Sequence, residues 1–192
     1  MSGEYTLLNT TSPHYSPFTT HHPHRTMNYF ELYNLPVSLS PDQTLVKEKF
    51  YELSRKYHPD FHSTASADEQ AEMLEKASMV NMAYKVFQHP DETIKYVLQL
   101  KGLLEEEEKY QLSPDFLMKM LDLNEQALDV SEQADIDNLT NIITNFTKEI
   151  YEPVEAVITN YKEGITTEKE LLQVKEYYYR KKYLDRILAG LK

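Results

Sequence analysis

Pro59 cuts the N-terminal half of this chain into two helical segments that cannot be one. Before it, Val46, Phe50, Leu53 and Tyr57 recur at i, i+4, i+7 and i+11, a single apolar stripe of helical period. After it, Met73, Ala77, Val80, Tyr84 and Phe87 form a second stripe. A proline has no N–H to donate and disfavours helical geometry in the residue before it, so the first helix ends ahead of Pro59. Two one-sided helices joined by a short polar loop bury their stripes against each other, which predicts an antiparallel pair. "SPDQ" at 40–43 reads as the start of the first helix, with Ser40 as N-cap, Pro41 at the first helical position and Gln43 reaching back. Ser66 with Glu69 reads as the capping box of the second, and His89-Pro90 as its end.

The remaining ordered segments also read as helix, and no strand pattern is present. A short helix is expected over 28–34 and another over about 91–101, stopping near Gly102. "EEEEK" at 105–109 is a charge run of the solvated kind, placed here as a domain boundary. Three further helices follow. The first starts at Ser113-Pro114 and runs to about 131. The second, about 135–163, carries Ile136, Leu139, Ile143, Phe146, Ile150, Val157 and Tyr161, with Pro153 inside it as an expected bend and Gly164 as its stop. The third, capped by Thr167 with Glu170, runs to about 190. Short connections favour a three-helix bundle. The expected organisation is all-α: a tail over 1–26, a helix-pair domain over 27–104, a linker over 105–112 and a bundle over 113–192.

Composition narrows the chemistry. The chain has 192 residues and no Cys, which excludes disulfides, thiolate zinc sites and thiolate-held clusters within it. A formal net charge of −11 argues against bulk attraction to nucleic acid or an anionic membrane. No apolar run approaches the roughly 20 residues of a membrane span. Residues 1–26, rich in Ser, Thr, Pro and His, show no helical period and read as a dispensable tail or an upstream start before Met27. Its His21, His22 and His24 are at most a weak metal site.

"SRKYHPDFH" at 54–62 concentrates the polar chemistry. His58 and His62 are four apart, but Pro59 prevents the regular helix that would put them on one face, so a metal site would have to be a loop site built from His58, Asp60 and His62. A catalytic dyad would need a nucleophile and a sheltered pocket, and only Ser54, Ser63 and Thr64 are near. An ordinary loop with helix-capping side chains is the remaining plain reading.

The order of features around this tripeptide resembles a J-domain: "MNYFELYNLP", a helix with a basic tip, HPD, and a second helix ending "NMAYKVFQHP". The resemblance implies that His58, Pro59 and Asp60 contact a DnaK-type ATPase chaperone and trigger its ATP hydrolysis. It also implies that Lys47, Lys49, Arg55 and Lys56 on the preceding helix assist docking. Glu52 interrupts that surface where J-domains tend to be basic.

No Gly/Phe-rich linker or cysteine-rich module follows. Instead "FLMKMLDLNEQALD" (116–129) and "RKKYLDRI" (180–187) resemble the C-terminal bundle of HscB, the co-chaperone of iron–sulfur cluster biogenesis. Residue by residue, Phe116, Met120, Leu123, Ala127 and Val130 form one stripe, and Leu117, Leu121 and Leu128 a second about 100° round, with Met118 further out. On the last helix Val174, Tyr177, Leu184 and Leu188 make the expected core side. Leu172, Tyr179 and Tyr183 lie elsewhere, among Lys175, Lys182 and Arg186. Surplus stripes either pack against the first domain or meet a partner. The resemblance favours a partner, an IscU-type scaffold held by Leu117, Met118, Leu121 and Tyr183. It further implies a non-enzymatic, cofactor-free bacterial cytoplasmic co-chaperone that delivers the scaffold to a DnaK/HscA-type chaperone. The alternative is a J-domain adaptor for another client.

Overall fold

The computed structural model describes residues 27–62 and 64–191; the tail over 1–26 and its histidines lie outside the described residues. Seven α-helices and one 3-10 turn account for all regular structure among them. Helix α1 (Tyr29–Tyr33) is short but doubly fixed: Asn28 and Glu31 form a capping box, and Asn34 ends it in the left-handed region at φ 51°. It places Phe30 and Tyr33 against Phe87, at ring-centroid distances of 4.7 and 5.3 Å. The Tyr33 hydroxyl donates to the Val80 carbonyl at 2.7 Å, so a buried polar tip is satisfied.

Helices α2 (Gln43–Lys56) and α3 (Ala67–Gln88) are the expected antiparallel pair. The direction follows from the contacts. Gln43 donates to the Phe87 carbonyl, Phe50 stacks on Tyr84 at 4.0 Å, and the Lys76 ammonium lies over the Tyr57 ring. The Ser66–Glu69 capping box is present. The start of α2 differs from expectation. Its N-cap is Asp42, whose Oδ1 accepts the N–H groups of Thr44 and Leu45 at 2.7 and 3.2 Å; Ser40 lies two residues too early, and the Gln43 side chain turns to Phe87. A carboxylate placed beside the exposed N–H groups of a first turn, where the helix dipole is positive, is the stronger cap.

Helix α4 (Pro90–Leu100) follows at once, His89 serving as the boundary of both helices. It buries Ile94, Val97 and Leu98, and Thr93 Oγ1 donates back to the Val86 carbonyl. Beyond it stand α5 (Pro114–Asp129), α6 (Gln133–Thr159) and α7 (Glu168–Gly190). Ser113 caps α5, and Thr167 with Glu170 caps α7, both as expected. α6 continues through Pro153, which is exposed. It ends at Thr159, earlier than expected. Asn160 directs both its backbone N–H and its side-chain amide to the Ala156 carbonyl, and Gly164 instead supplies a φ of 76° to the turn that leads into α7.

α6 and α7 run antiparallel, Tyr151 beside Tyr177, and the Phe116 ring of α5 is the hub between them. It lies 5.9 Å from Phe146 and 6.5 Å from Tyr183, with the Arg180 guanidinium 5.4 Å from its centre. α4 packs on α7, where Lys181 bridges Asp91 at 2.6 Å and Asp185 at 2.7 Å, and Lys101 pairs with Glu163. A cleft of about 360 Å³ remains at this joint, between Leu39, Pro41 and Ile94 on one side and Tyr151, Ile158 and Tyr177 on the other. The buried residues of all the helices form one continuous cluster.

The acidic run is not simply solvated. Leu104 and Leu112 are buried at its ends, and Glu108 is drawn onto α7 by Lys175. Tyr110 stacks on Tyr179 at 4.6 Å with the rings 2° from parallel. Tyr179 and Lys175, placed by helical period on an outer face, are therefore covered by the connecting segment.

Candidate functional site: two exposed surfaces

The first surface is the turn between α2 and α3. The last bonds of α2 run from the Tyr57 N–H to Leu53 and from the His58 N–H to Arg55; Pro59 then opens a 3-10 turn, Pro59–His62. Because Pro59 has no N–H and holds its φ near −65°, the chain leaves the helix axis here and His58 and Asp60 are turned outward. All three residues of the tripeptide are exposed. The Asp60 N–H donates to His58 Nδ1 at 3.3 Å. With Nδ1 as acceptor, the ring proton of the neutral imidazole sits on Nε2. Asp60 Oδ2 is 3.7 Å from the same Nδ1, ready to pair with it when the ring is charged. The Phe61 ring meets His58 edge-on at 5.8 Å.

The four basic residues are not equivalent. Lys47 and Arg55 are exposed on the outward side of α2. Lys49 is pulled round to Glu52 at 2.7 Å, and this hydrogen bond holds the Glu52 carboxyl below the usual carboxylate range. Lys56 lies over the Tyr57 ring. Two exposed aromatic side chains, Tyr51 and Phe61, were not singled out from sequence. The available signal was Tyr51's position opposite the Val46/Leu53 stripe.

The second surface is on the bundle. Leu117, Met118 and Leu121 are 43, 67 and 59% exposed, whereas Phe116, Met120 and Leu123 are buried. The two stripes of α5 are thus separated as expected, one in the core and one in water. Tyr183 of α7 is 40% exposed; its ring lies edge-on to buried Phe116, and Arg186 lies over it. Leu172 and Leu128 are also exposed. Among the described residues, no group of three or more His, Cys, Asp or Glu side chains could hold a metal ion, and no helix is long and apolar enough to cross a membrane.

The chain is similar to known proteins in both halves. Residues 112–192 match the family described as the HscB C-terminal oligomerisation domain. The co-chaperone protein HscB homolog of Vibrio parahaemolyticus is 36% identical over 110 residues, 57% of this chain and 64% of that protein. The Vibrio campbellii homolog is 34% identical over the same shares. The chain thus spans just under two thirds of the length of these relatives. Among solved structures, chaperone HscB from Vibrio cholerae superposes with a TM-score of 0.66 at 23% identity, over 86% of this chain and 95% of that one. The human co-chaperone protein HscB superposes with a TM-score of 0.73 at 24% identity, over 88% and 82%. The fold is that of an N-terminal J-domain followed by a C-terminal helical bundle.

Proposed function

We propose that this HscB-like chain is a co-chaperone that docks a DnaK/HscA-type ATPase through His58, Pro59 and Asp60, aided by Lys47, Lys49, Arg55 and Lys56, and holds an IscU-type scaffold through Leu117, Met118, Leu121 and Tyr183. Residues 27–104 serve as the chaperone-facing domain, 105–112 as the connection and 113–192 as the scaffold-facing domain. The protein performs no chemistry itself. It brings a cluster carrier to a chaperone and stimulates ATP hydrolysis there, in the cytoplasm. The observation that carries this reading is the HPD turn. Its histidine and aspartate are solvent-facing and committed to no core contact, on a loop whose shape the proline fixes.

The test is the steady-state ATPase rate of a purified HscA-type chaperone with and without the chain and a purified IscU-type scaffold. Stimulation is expected, and His58→Gln or Asp60→Asn should abolish it while scaffold binding persists. Equal stimulation by either variant would rule out the docking role. Stimulation without any scaffold binding would point to an adaptor for a different client.

A further inference from the structure

Helix α2 turns 100° per residue, so Lys47, Tyr51 and Arg55 stand one turn apart on a single outward ridge, away from buried Val46 and Leu53. Tyr51 is 59% exposed and tilts against half-buried Phe50 with the ring centres 5.6 Å apart. Phe61, on the turn beyond His58, is 69% exposed. Tyr51 stands five residues, about 7.5 Å of helical rise, before the end of α2, and Phe61 follows in the turn, so the two aromatic residues flank the HPD tripeptide along the chain. Two open aromatic side chains on either side of one polar motif suit a contact surface, because aromatic side chains are among those that most often anchor interfaces.

The charges beside them are sparse. Four cations on α2, Lys47, Lys49, Arg55 and Lys56, are opposed by two anions, Glu48 and Glu52, and Lys49 is already paired with Glu52. The whole chain carries −11, so it supplies no long-range attraction towards an acidic partner. Contact here has to come from apolar burial more than from charge.

We propose that Tyr51 and Phe61 are the anchors by which α2 and its turn grip the ATPase domain of the chaperone. The partner presents an apolar socket whose acidic rim receives Lys47 and Arg55. This rests on the chaperone-docking reading above and adds to it the residues that set affinity and its salt dependence. His58 and Asp60 act in the stimulated step, whereas Tyr51 and Phe61 hold the complex together.

The experiment titrates the full chain into a purified DnaK-type chaperone and reads both the plateau of ATPase stimulation and the concentration giving half of it. Tyr51→Ala should raise the half-stimulating concentration about tenfold, a typical loss for an interface anchor, with the plateau retained. Tyr51→Phe should behave as the parent, since the ring supplies the burial. Phe61→Ala should shift the curve in the same direction. Raising ionic strength from about 0.01 M to about 0.1 M, which shortens the Debye length from about 30 to about 10 Å, should move the parent curve less than threefold. Ala at an exposed helical position favours the helix, so an unchanged melting temperature in Tyr51→Ala separates lost contact from lost fold. An unshifted Tyr51→Ala curve overturns the inference, as does a parent curve that moves tenfold with salt. If the parent itself gives no stimulation, or His58→Gln keeps its full plateau, the docking reading falls and takes this inference with it.

Discussion

The Lys175 ammonium lies 2.6 Å from the Glu108 carboxylate, although 67 residues separate them and Lys175 is only 8% exposed. The Tyr179 hydroxyl donates to the same carboxylate at 3.4 Å. One acidic residue of the connecting segment therefore neutralises the cation that α7 carries beneath it, and the connection is tied to the bundle at this point.

Removing that carboxylate leaves a covered ammonium without its counter-charge. Glu108→Gln should cost about 2 kcal/mol at neutral pH in denaturant melts, within the range for a hydrogen bond to a charged group. The Lys175 hydrogen bond holds the Glu108 carboxyl below the usual carboxylate range. Its contribution is accordingly present above the unfolded carboxylate pKa and lost as pH falls through the depressed folded value. The gap between parent and variant should close on acidification. A gap that persists in strong acid would show that packing, not the ion pair, produces it.

Alkaline pH tests the other end. Burial, reinforced by Asp91 for Tyr177 and by Glu108 for Tyr179, pushes both phenols from their ordinary value up to about 12. A raised folded pKa adds stability that is complete below the unfolded value and drains as pH rises through the folded one. Melting temperature should fall between pH about 10 and about 12, and Tyr179→Phe should flatten part of that fall. Tyrosinate absorbance showing every tyrosine titrating together near 10 would contradict this.

The two stripes of α5 should separate stability from binding. Phe116→Ala removes the ring that Phe146, Tyr183 and Arg180 surround and should cost about 3–5 kcal/mol. Leu117, Met118 and Leu121 changed together to Ala should cost far less, yet weaken scaffold binding at least tenfold in calorimetric titration. A triple variant as unstable as Phe116→Ala would make the outer stripe a core element.

Pro153 withholds one backbone bond from the interior of α6, and its ring is exposed. Pro153→Ala should raise stability by about 2 kcal/mol, less than the full helix-propensity difference of about 3 because the unfolded chain also gains freedom. An unchanged or lowered melting temperature would show that the helix depends on the proline.

Features whose cause lies within a few residues were legible in the sequence. Pro59 cannot continue α2, Ser66 and Thr167 have their glutamates three residues on, and the buried stripe of α5 repeats within four. Local reading also has its own limit. Ser40 and Asp42 are both good capping residues, and the cap is Asp42, whose carboxylate accepts the first-turn N–H groups, while the Gln43 side chain reaches Phe87, 44 residues away.

Helical period states which side chains share a face and leaves open what will cover that face. Leu117 and Tyr179 both read as surplus, yet the chain returns over Tyr179 with Tyr110 and leaves Leu117 in water. The Asp91–Lys181 and Glu108–Lys175 pairs belong to the same class, since each joins residues more than 60 positions apart. The sequence by itself determined the helices, the caps of α3, α5 and α7 and the outward HPD turn, because backbone hydrogen bonding and proline geometry act over one or two turns. Only the tertiary structure decided which apolar faces are closed and which charges are paired, because burial depends on where distant segments come to rest.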